Sequence, residues 1–115
     1  MEKKHIRGGN CRIVEMEGMS MYNEYDQGKS IHDGDLLLIY PNIFNDLKSG
    51  DVVQAQCSES LTDIRIRVYD KDGDNELLIP LNNTHPVIPV TSKVKILGIV
   101  SMSINYKTFK SFAED

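Results

Sequence analysis

The chain has 115 residues, with 13 Lys and Arg against 17 Asp and Glu, and its net charge is −4 at pH 7. This length suffices for one domain with a single modest core. Non-specific nucleic-acid affinity comes from Lys and Arg that neutralise phosphates, so we do not expect a chain of this charge to bind DNA or RNA by itself.

The predicted elements are short strands separated by turns. Turn chemistry occurs at "HDGD", "KSGD", "KDGD" and "NNTHP", and no window of about 11 residues has a helical period. This spacing predicts an all-β fold, either coiled sheets or a partly open barrel, with little or no helix. In chain order, the candidate strands are CRIVEM (11–16), DLLLIYP (35–41), DVVQAQC (51–57), DIRIRVY (63–69), NELLIPL (75–81) and SKVKILGIVSMSI (92–104).

Two of these segments carry a burial pattern that can be checked. The continuous apolar run at 35–41 is typical of a strand that is buried on both faces. The segment at 63–69 alternates, which predicts that its apolar side chains face inward and its two arginines outward. The inward set is Ile64, Ile66 and Val68, and the outward set is Arg65 and Arg67.

A calcium loop is one reading of "DKDGDNE", where Asp70, Asp72 and Asp74 alternate as the first three ligands of an EF-hand do. The loop then departs from the pattern. Asn75 stands where glycine is needed, and Leu81 stands where a bidentate Glu is needed. The sequence predicts a polar hairpin turn here instead.

Metal, cofactor and disulfide chemistry is not predicted either. The histidines (His5, His32 and His85) have no paired spacing. Cys11 and Cys57 lie on strand-like positions, where we expect buried, reduced and inert thiols. No stretch approaches the roughly 18 apolar residues of a membrane span, and the charged start lacks the apolar centre of a signal peptide. These features predict a cytoplasmic protein that has no contact with a membrane.

Ser20 is the candidate nucleophile, in the stretch "EMEGMSMY" at 15–22. Serine attacks a carbonyl only when a base removes its proton and N–H groups await the oxyanion. A tight turn at Gly18 could expose both features. Composition alone favours a plain turn residue.

The order of the motifs resembles a family. A Gly-x-Ser-Met strand end, a Gly-Asp turn into a buried strand, a second Gly-Asp strand and an "L-x-P-x-N"-type segment follow one another from residue 12 to about 101. This series is similar to the C-terminal domain of the LexA-like repressors, which include the lambda-type phage repressors and UmuD. The matching stretches are VEMEGMSM, SIHDGDLLLIYP, LKSGDVVQAQ, IRIRVYDKDGD, ELLIPLNNTHPVIPV and VKILGIV.

The resemblance implies a strand-rich fold that uses a Ser–Lys dyad, with Ser20 at the nucleophile position. In active members a neutral lysine takes the serine proton, and the enzyme cuts its own upstream linker. Counting back from Pro80 without a gap places Arg67 at the lysine position, whereas one gap in the turn places Ile66 there. Neither can act as a general base. Lys71 and Lys29, the nearest lysines in sequence, fall in a turn and an insertion, and we do not expect either to act as a substitute base.

The resemblance also implies a domain organisation. Residues 1–11 are expected to be a remnant of a linker, and residues 12–115 the LexA-like domain. Only nineteen residues precede Ser20, without an Ala-Gly scissile pair, which favours a piece excised from a longer repressor.

Two functions remain open. The first is the oligomerisation and regulatory domain of a phage-type transcriptional repressor with a degenerate cleavage site. It would be a homodimer or larger homo-oligomer that associates through "KILGIVSMSI" and binds DNA only through a separate helix-turn-helix domain. An SOS-type inducer such as a RecA filament is a partner that the resemblance raises and the sequence does not decide. The alternative is an active self-processing serine peptidase with a substitute base. A β domain unrelated to repressors is a third alternative.

Overall fold

The computed structural model describes residues 11–26, 28–41 and 47–105. The segment predicted to be a linker remnant falls outside these ranges except for Cys11, and His5 falls outside them too. Where described, the chain forms one antiparallel sheet of seven strands and no helix, which confirms the predicted all-β class. The strands are β1 (Arg12–Glu15), β2 (Leu36–Pro41), β3 (Val52–Gln56), β4 (Ile64–Asp72), β5 (Asn75–Ile79), β6 (Ile88–Pro89) and β7 (Lys95–Ile104).

The sheet is open rather than closed into a barrel. Its strand order is β1-β2-β7-β3-β4-β5-β6, so that β1 and β6 form the two edges of the described sheet. The long last strand therefore lies in the interior, between β2 and β3. This arrangement places the start of the chain and the middle of the chain on opposite halves of one sheet.

The hairpin of β4 and β5 accounts for the acidic "DKDGDNE" stretch. Asp72 pairs with Asn75, and Gly73 takes a positive φ of 65° in the two-residue loop between the strands. Glycine adopts this backbone conformation without a steric penalty. The predicted polar hairpin turn is confirmed, and β4 continues three residues further than the sequence pattern indicated.

Two apolar clusters form the core, and strand β4 contributes a buried side chain to each. The first centres on Met21, Leu37 and Ile39, which have no exposed surface. The second centres on Val53 and Leu78, which are also fully buried. Burying one such side chain stabilises the fold by roughly 1.5–3 kcal/mol, so these clusters fix the strands that hold the site.

The prediction that β2 is buried on both faces is wrong for one face. Leu37 and Ile39 are fully buried, but Leu36 and Leu38 keep part of their surface exposed. A continuous apolar run does not distinguish a strand inside a core from a strand with one uncovered apolar face.

The close approach of β2 and β7 depends on Gly98. A Cβ atom at this position would lie 2.6 Å from Ile39 Cγ2 and 2.6 Å from the Tyr40 carbonyl oxygen. The register of β7 shifts against β3 beside this glycine and against β2 at Ser101. Such bulges bend a strand and strengthen the local twist.

The predicted facing of β4 is wrong for Arg67. Its side chain is only 4% exposed, whereas Ile64, predicted to face inward, is 38% exposed. Strand β4 is paired on both sides, by β3 and β5, and the loop that carries Ser20 packs against it. The expectation of a buried thiol is also wrong for Cys11, which is exposed, while Cys57 is partly buried.

Candidate active site

Backbone hydrogen bonds join the two ends of the loop between β1 and β2, and Ser20 lies in this loop. The Met16 N–H donates to the Asp35 carbonyl at 2.7 Å, and the Gly34 N–H donates to the Met16 carbonyl at 2.8 Å. Gly18, with a φ of 86°, donates its N–H to Asp33 Oδ1 at 2.7 Å. The turn predicted from Gly18 is therefore held by an aspartate on the returning chain.

Contacts with the loop after β5 fix the backbone of Ser20 itself. The Asn82 N–H donates to the Ser20 carbonyl at 2.9 Å, and Asn82 Nδ2 donates to the Met19 carbonyl at 3.1 Å. The next residue, Met21, is fully buried and accepts a hydrogen bond from the Ile31 N–H at 2.8 Å. Ser20 is thus held in one position, with its side chain largely buried.

Arg67 is the side chain that contacts the Ser20 hydroxyl. Arg67 Nη1 donates to Ser20 Oγ at 2.9 Å and to the Ile66 carbonyl at 2.9 Å. The side chain of Ile66 belongs instead to the first apolar cluster. Of the two residues that the sequence left open for the lysine position, Arg67 is the one that lies against the serine.

The guanidinium of Arg67 has no counter-ion in the part of the chain that the structure describes. Burial lowers its pKa, the nearby positive charge of Arg65 lowers it further, and Cys57 opposes both effects. Arg67 Nε is buried and has no hydrogen-bond partner among the described residues. Arginine nevertheless stays protonated in proteins, so Arg67 is a donor to Ser20 Oγ and not a base.

The two lysines considered as substitute bases are not brought to Ser20. Lys71 lies near the end of β4, where it pairs with Glu76 across the hairpin, and its side chain is exposed. Lys29 is exposed in the loop between β1 and β2. No hydrogen bond joins either side chain to Ser20 within the described ranges.

Ser20 and Arg67 line a cleft of about 480 Å³. No sequence pattern pointed to His85, Glu15, Glu17 or Gln54, all of which line the cleft. No local pattern marks them, because the cleft forms only when β1, β4 and the loop after β5 meet. The lining residues are Val14, Glu15, Met16, Glu17, Gly18, Met19, Ser20, Gln54, Thr62, Ile64, Arg65, Ile66, Arg67 and His85.

The described residues offer no grouped set of metal ligands. No three His, Cys, Asp or Glu side chains in this part of the chain come together as a metal site requires. The same part of the chain contains no helix that is long and apolar enough to cross a membrane.

A serine hydroxyl on a clamped turn lies at the wall of a cleft in this all-β domain. A family model described as Peptidase S24-like matches residues 1–101. The chain belongs to this family, which confirms the resemblance to the LexA-like repressor domains and excludes an unrelated β domain. No curated protein matches the chain.

Proposed function

We propose that this domain is the oligomerisation and regulatory part of a phage-type transcriptional repressor, and that its self-cleavage site is inactive. Membership of the Peptidase S24-like family supports the repressor part of the proposal. The hydrogen bond from Arg67 Nη1 to Ser20 Oγ is the observation that carries the inactive site. On this proposal Arg67 occupies the position of the family's catalytic lysine.

The chemistry of the dyad explains why this exchange would stop cleavage. A lysine in a buried site can lose its proton and then accept the serine proton. A guanidinium cannot be deprotonated in a protein, and here it also occupies a lone pair of the oxygen that would attack. Loss of a general base costs about 10²–10⁴-fold in rate, which makes a slow self-cleavage negligible.

An active serine peptidase is the second candidate, and one observation favours it. Ser20 lines a cleft that also contains His85, and imidazole is the most common general base in enzymes. On this alternative His85 would replace the lysine as the base, and Ser20 would remain a nucleophile.

A serine-directed fluorophosphonate separates the two candidates. The inactive-site proposal predicts that the unaltered protein forms no adduct at Ser20 and releases no fragments at neutral or alkaline pH, as judged by intact-mass spectrometry. Ser20→Ala is the matched control. An adduct that disappears in Ser20→Ala and in His85→Ala would overturn the proposal in favour of the peptidase.

Self-association is the second part of the proposal, and an exposed surface supports it. Ile13 of β1 pairs with Leu38 of β2, which pairs with Met102 of β7, so that these side chains share one face of the sheet. Ile13 is 69% exposed and Met102 is 52% exposed. The residues that form this apolar sheet face are Ile13, Leu36, Leu38, Met102 and Ile104.

The edge of β7 beside this face favours a second copy as its partner. Residues 100–104 of β7 pair with β2 on one side, but β3 reaches only as far as Ile99. The same strand in another copy could lie against this edge, which no described strand occupies, about a two-fold axis, because such a contact is self-complementary. The surface includes residues 100–104, the second half of the segment that the sequence predicted for association.

DNA and inducer binding complete the proposed role. A separate helix-turn-helix domain of a longer repressor would bind the operator, because the acidic charge of this chain does not favour phosphates. A RecA filament is the inducer that the family resemblance raises. Such a repressor would act in the cytoplasm.

A further inference from the structure

Arg67 lacks two partners that a buried guanidinium normally has. Its Nε is a buried donor without an acceptor, and no carboxylate within the described residues forms an ion pair with it. Buried charges in proteins are almost always paired, since an unpaired charge in a low-dielectric site is strongly destabilising. A carboxylate in the adjoining cleft would supply the missing counter-ion.

None of the described acidic residues near Arg67 supplies this carboxylate. Asp63, the nearest acid along the sequence, is bound to Arg65 Nε at 2.9 Å. Glu15 and Glu17 line the same cleft, but the hydrogen bonds of Arg67 go to Ser20 and to the Ile66 carbonyl. The cation therefore stands at the wall of a cleft of about 480 Å³ with its counter-ion absent from the described chain.

Ser20 adds a second polar group at the same place. Its Oγ accepts the hydrogen bond from Arg67 Nη1, so the hydroxyl proton remains available for an acceptor in the cleft. A guanidinium and a hydroxyl side by side match the two oxygens of a carboxylate, which accepts charge-assisted hydrogen bonds from both.

We propose that the cleft binds a peptide through the carboxylate of an acidic side chain, which pairs with Arg67 beside the Ser20 hydroxyl. The site would then be a recognition site for an acidic peptide. This inference goes beyond the repressor role, because it depends on the missing partner of Arg67 and not on whether Ser20 is reactive.

The charge of the cleft favours a carboxylate over a phosphate. Arg67 supplies one uncompensated positive charge, while Glu15 and Glu17 add negative charge to the wall. A singly charged carboxylate neutralises Arg67, whereas a doubly charged phosphate would be repelled by the two glutamates. The cleft volume of about 480 Å³ exceeds what a small free acid fills, which favours a peptide as the carrier of the acid.

Binding of capped tetrapeptides to the full chain tests this proposal. The peptides are N-acetylated and C-amidated Ala-Ala-Asp-Ala and its Asn counterpart, with acetate and inorganic phosphate as small anions. We expect the Asp peptide to bind at least about tenfold more tightly than the Asn peptide. We also expect it to shift the Arg67 Nε–H resonance in a nitrogen–proton NMR spectrum.

Substitutions of Arg67 test whether this residue contacts the carboxylate of the peptide. Arg67→Met should abolish the preference for Asp over Asn, and Arg67→Lys should weaken it because lysine cannot form the bidentate pair. Lys71→Met, an exposed position on the same strand with the same change in charge, should leave it intact. The comparison of the two peptides on the unaltered protein requires no variant, so it decides the matter even if Arg67→Met fails to fold.

Several results would overturn the inference. Equal binding of the Asp and Asn peptides, or an unshifted Arg67 resonance, would show that no carboxylate reaches the guanidinium. Acetate that binds as tightly as the Asp peptide would exclude a peptide as the source of the acid. Phosphate that displaces the Asp peptide at a lower concentration than acetate does would exclude a carboxylate site.

Discussion

Arg67 and Ser20 show how much chemistry depends on a single side chain. The two residues are 47 positions apart in sequence, and their contact at 2.9 Å forms only when the loop after β1 packs on β4. A guanidinium at this place keeps its charge, whereas an amine could release it. The same hydroxyl would therefore be inert beside one cation and a nucleophile beside the other.

A second buried polar contact, between Tyr69 and Glu76, gives a pH-dependent prediction. Burial raises the pKa of Tyr69 to about 12, and the hydrogen bond from its hydroxyl to the Glu76 carboxylate contributes in the same direction. The unfolded chain, with a tyrosine pKa of about 10, loses this proton first. Stability is therefore full below about pH 10 and falls as the pH rises toward about 12, by about 1 kcal/mol or less per pH unit.

The substitution Tyr69→Phe is expected to remove this loss of stability at high pH. Chemical denaturation from about pH 9 to about pH 12 should show the free energy of unfolding of the unaltered protein falling more steeply than that of Tyr69→Phe. Tyr25→Phe is the matched control, because Tyr25 is 91% exposed. Equal slopes for the protein and Tyr69→Phe would contradict the raised pKa.

Strand β7 connects the core to the proposed association surface. Gly98 and Ile99 are paired on both sides, by β2 and β3, while the side chains of the last four residues of β7 are exposed. Met102→Asp places a charge in the centre of the apolar sheet face, which we expect to weaken self-association at least about tenfold, because an unpaired charge would be buried in the interface. Sedimentation equilibrium measures the change as a shift from dimer to monomer.

Leu61→Asp is the matched control for this experiment. Leu61 is 81% exposed and lies in the loop between β3 and β4, outside the apolar sheet face. Its substitution should leave the oligomeric state unchanged. A monomeric unaltered protein, or an equal effect of both substitutions, would contradict the proposed surface.

The strands show what local pattern could and could not predict. Alternation and turn residues located β2, β3, β5 and β7 to within a few residues, since those signals are local. Strand β6 was missed because it has two residues, one of them proline. The facing of β4 was wrong because its burial depends on what packs against it from elsewhere in the chain.

The candidate site was also only partly predictable from the sequence. The turn at Gly18 and the family resemblance located Ser20 from sequence. The choice between Arg67 and Ile66 depended on one gap in a turn, which sequence alone does not place. His85 gave no signal, because its presence in the cleft follows from the path of the loop after β5.

On the proposed function, the whole molecule keeps the fold of its family around an altered pair of residues. One open sheet carries the clamped serine loop and the cleft on one side, and its apolar face supplies the proposed contact with a second copy. Because these features are separate, loss of cleavage need not disturb association. A domain of this kind could remain a regulator after its chemistry has stopped.

Arg67→Lys tests the central claim most directly. We compare the rate at which Ser20 reacts with a fluorophosphonate in the unaltered protein and in this variant across a range of pH, with Ser20→Ala/Arg67→Lys as the blank. The account predicts that the lysine variant reacts at least about 100-fold faster, with a rate that rises as its ammonium loses a proton. Equal rates in the two proteins at every pH would contradict it.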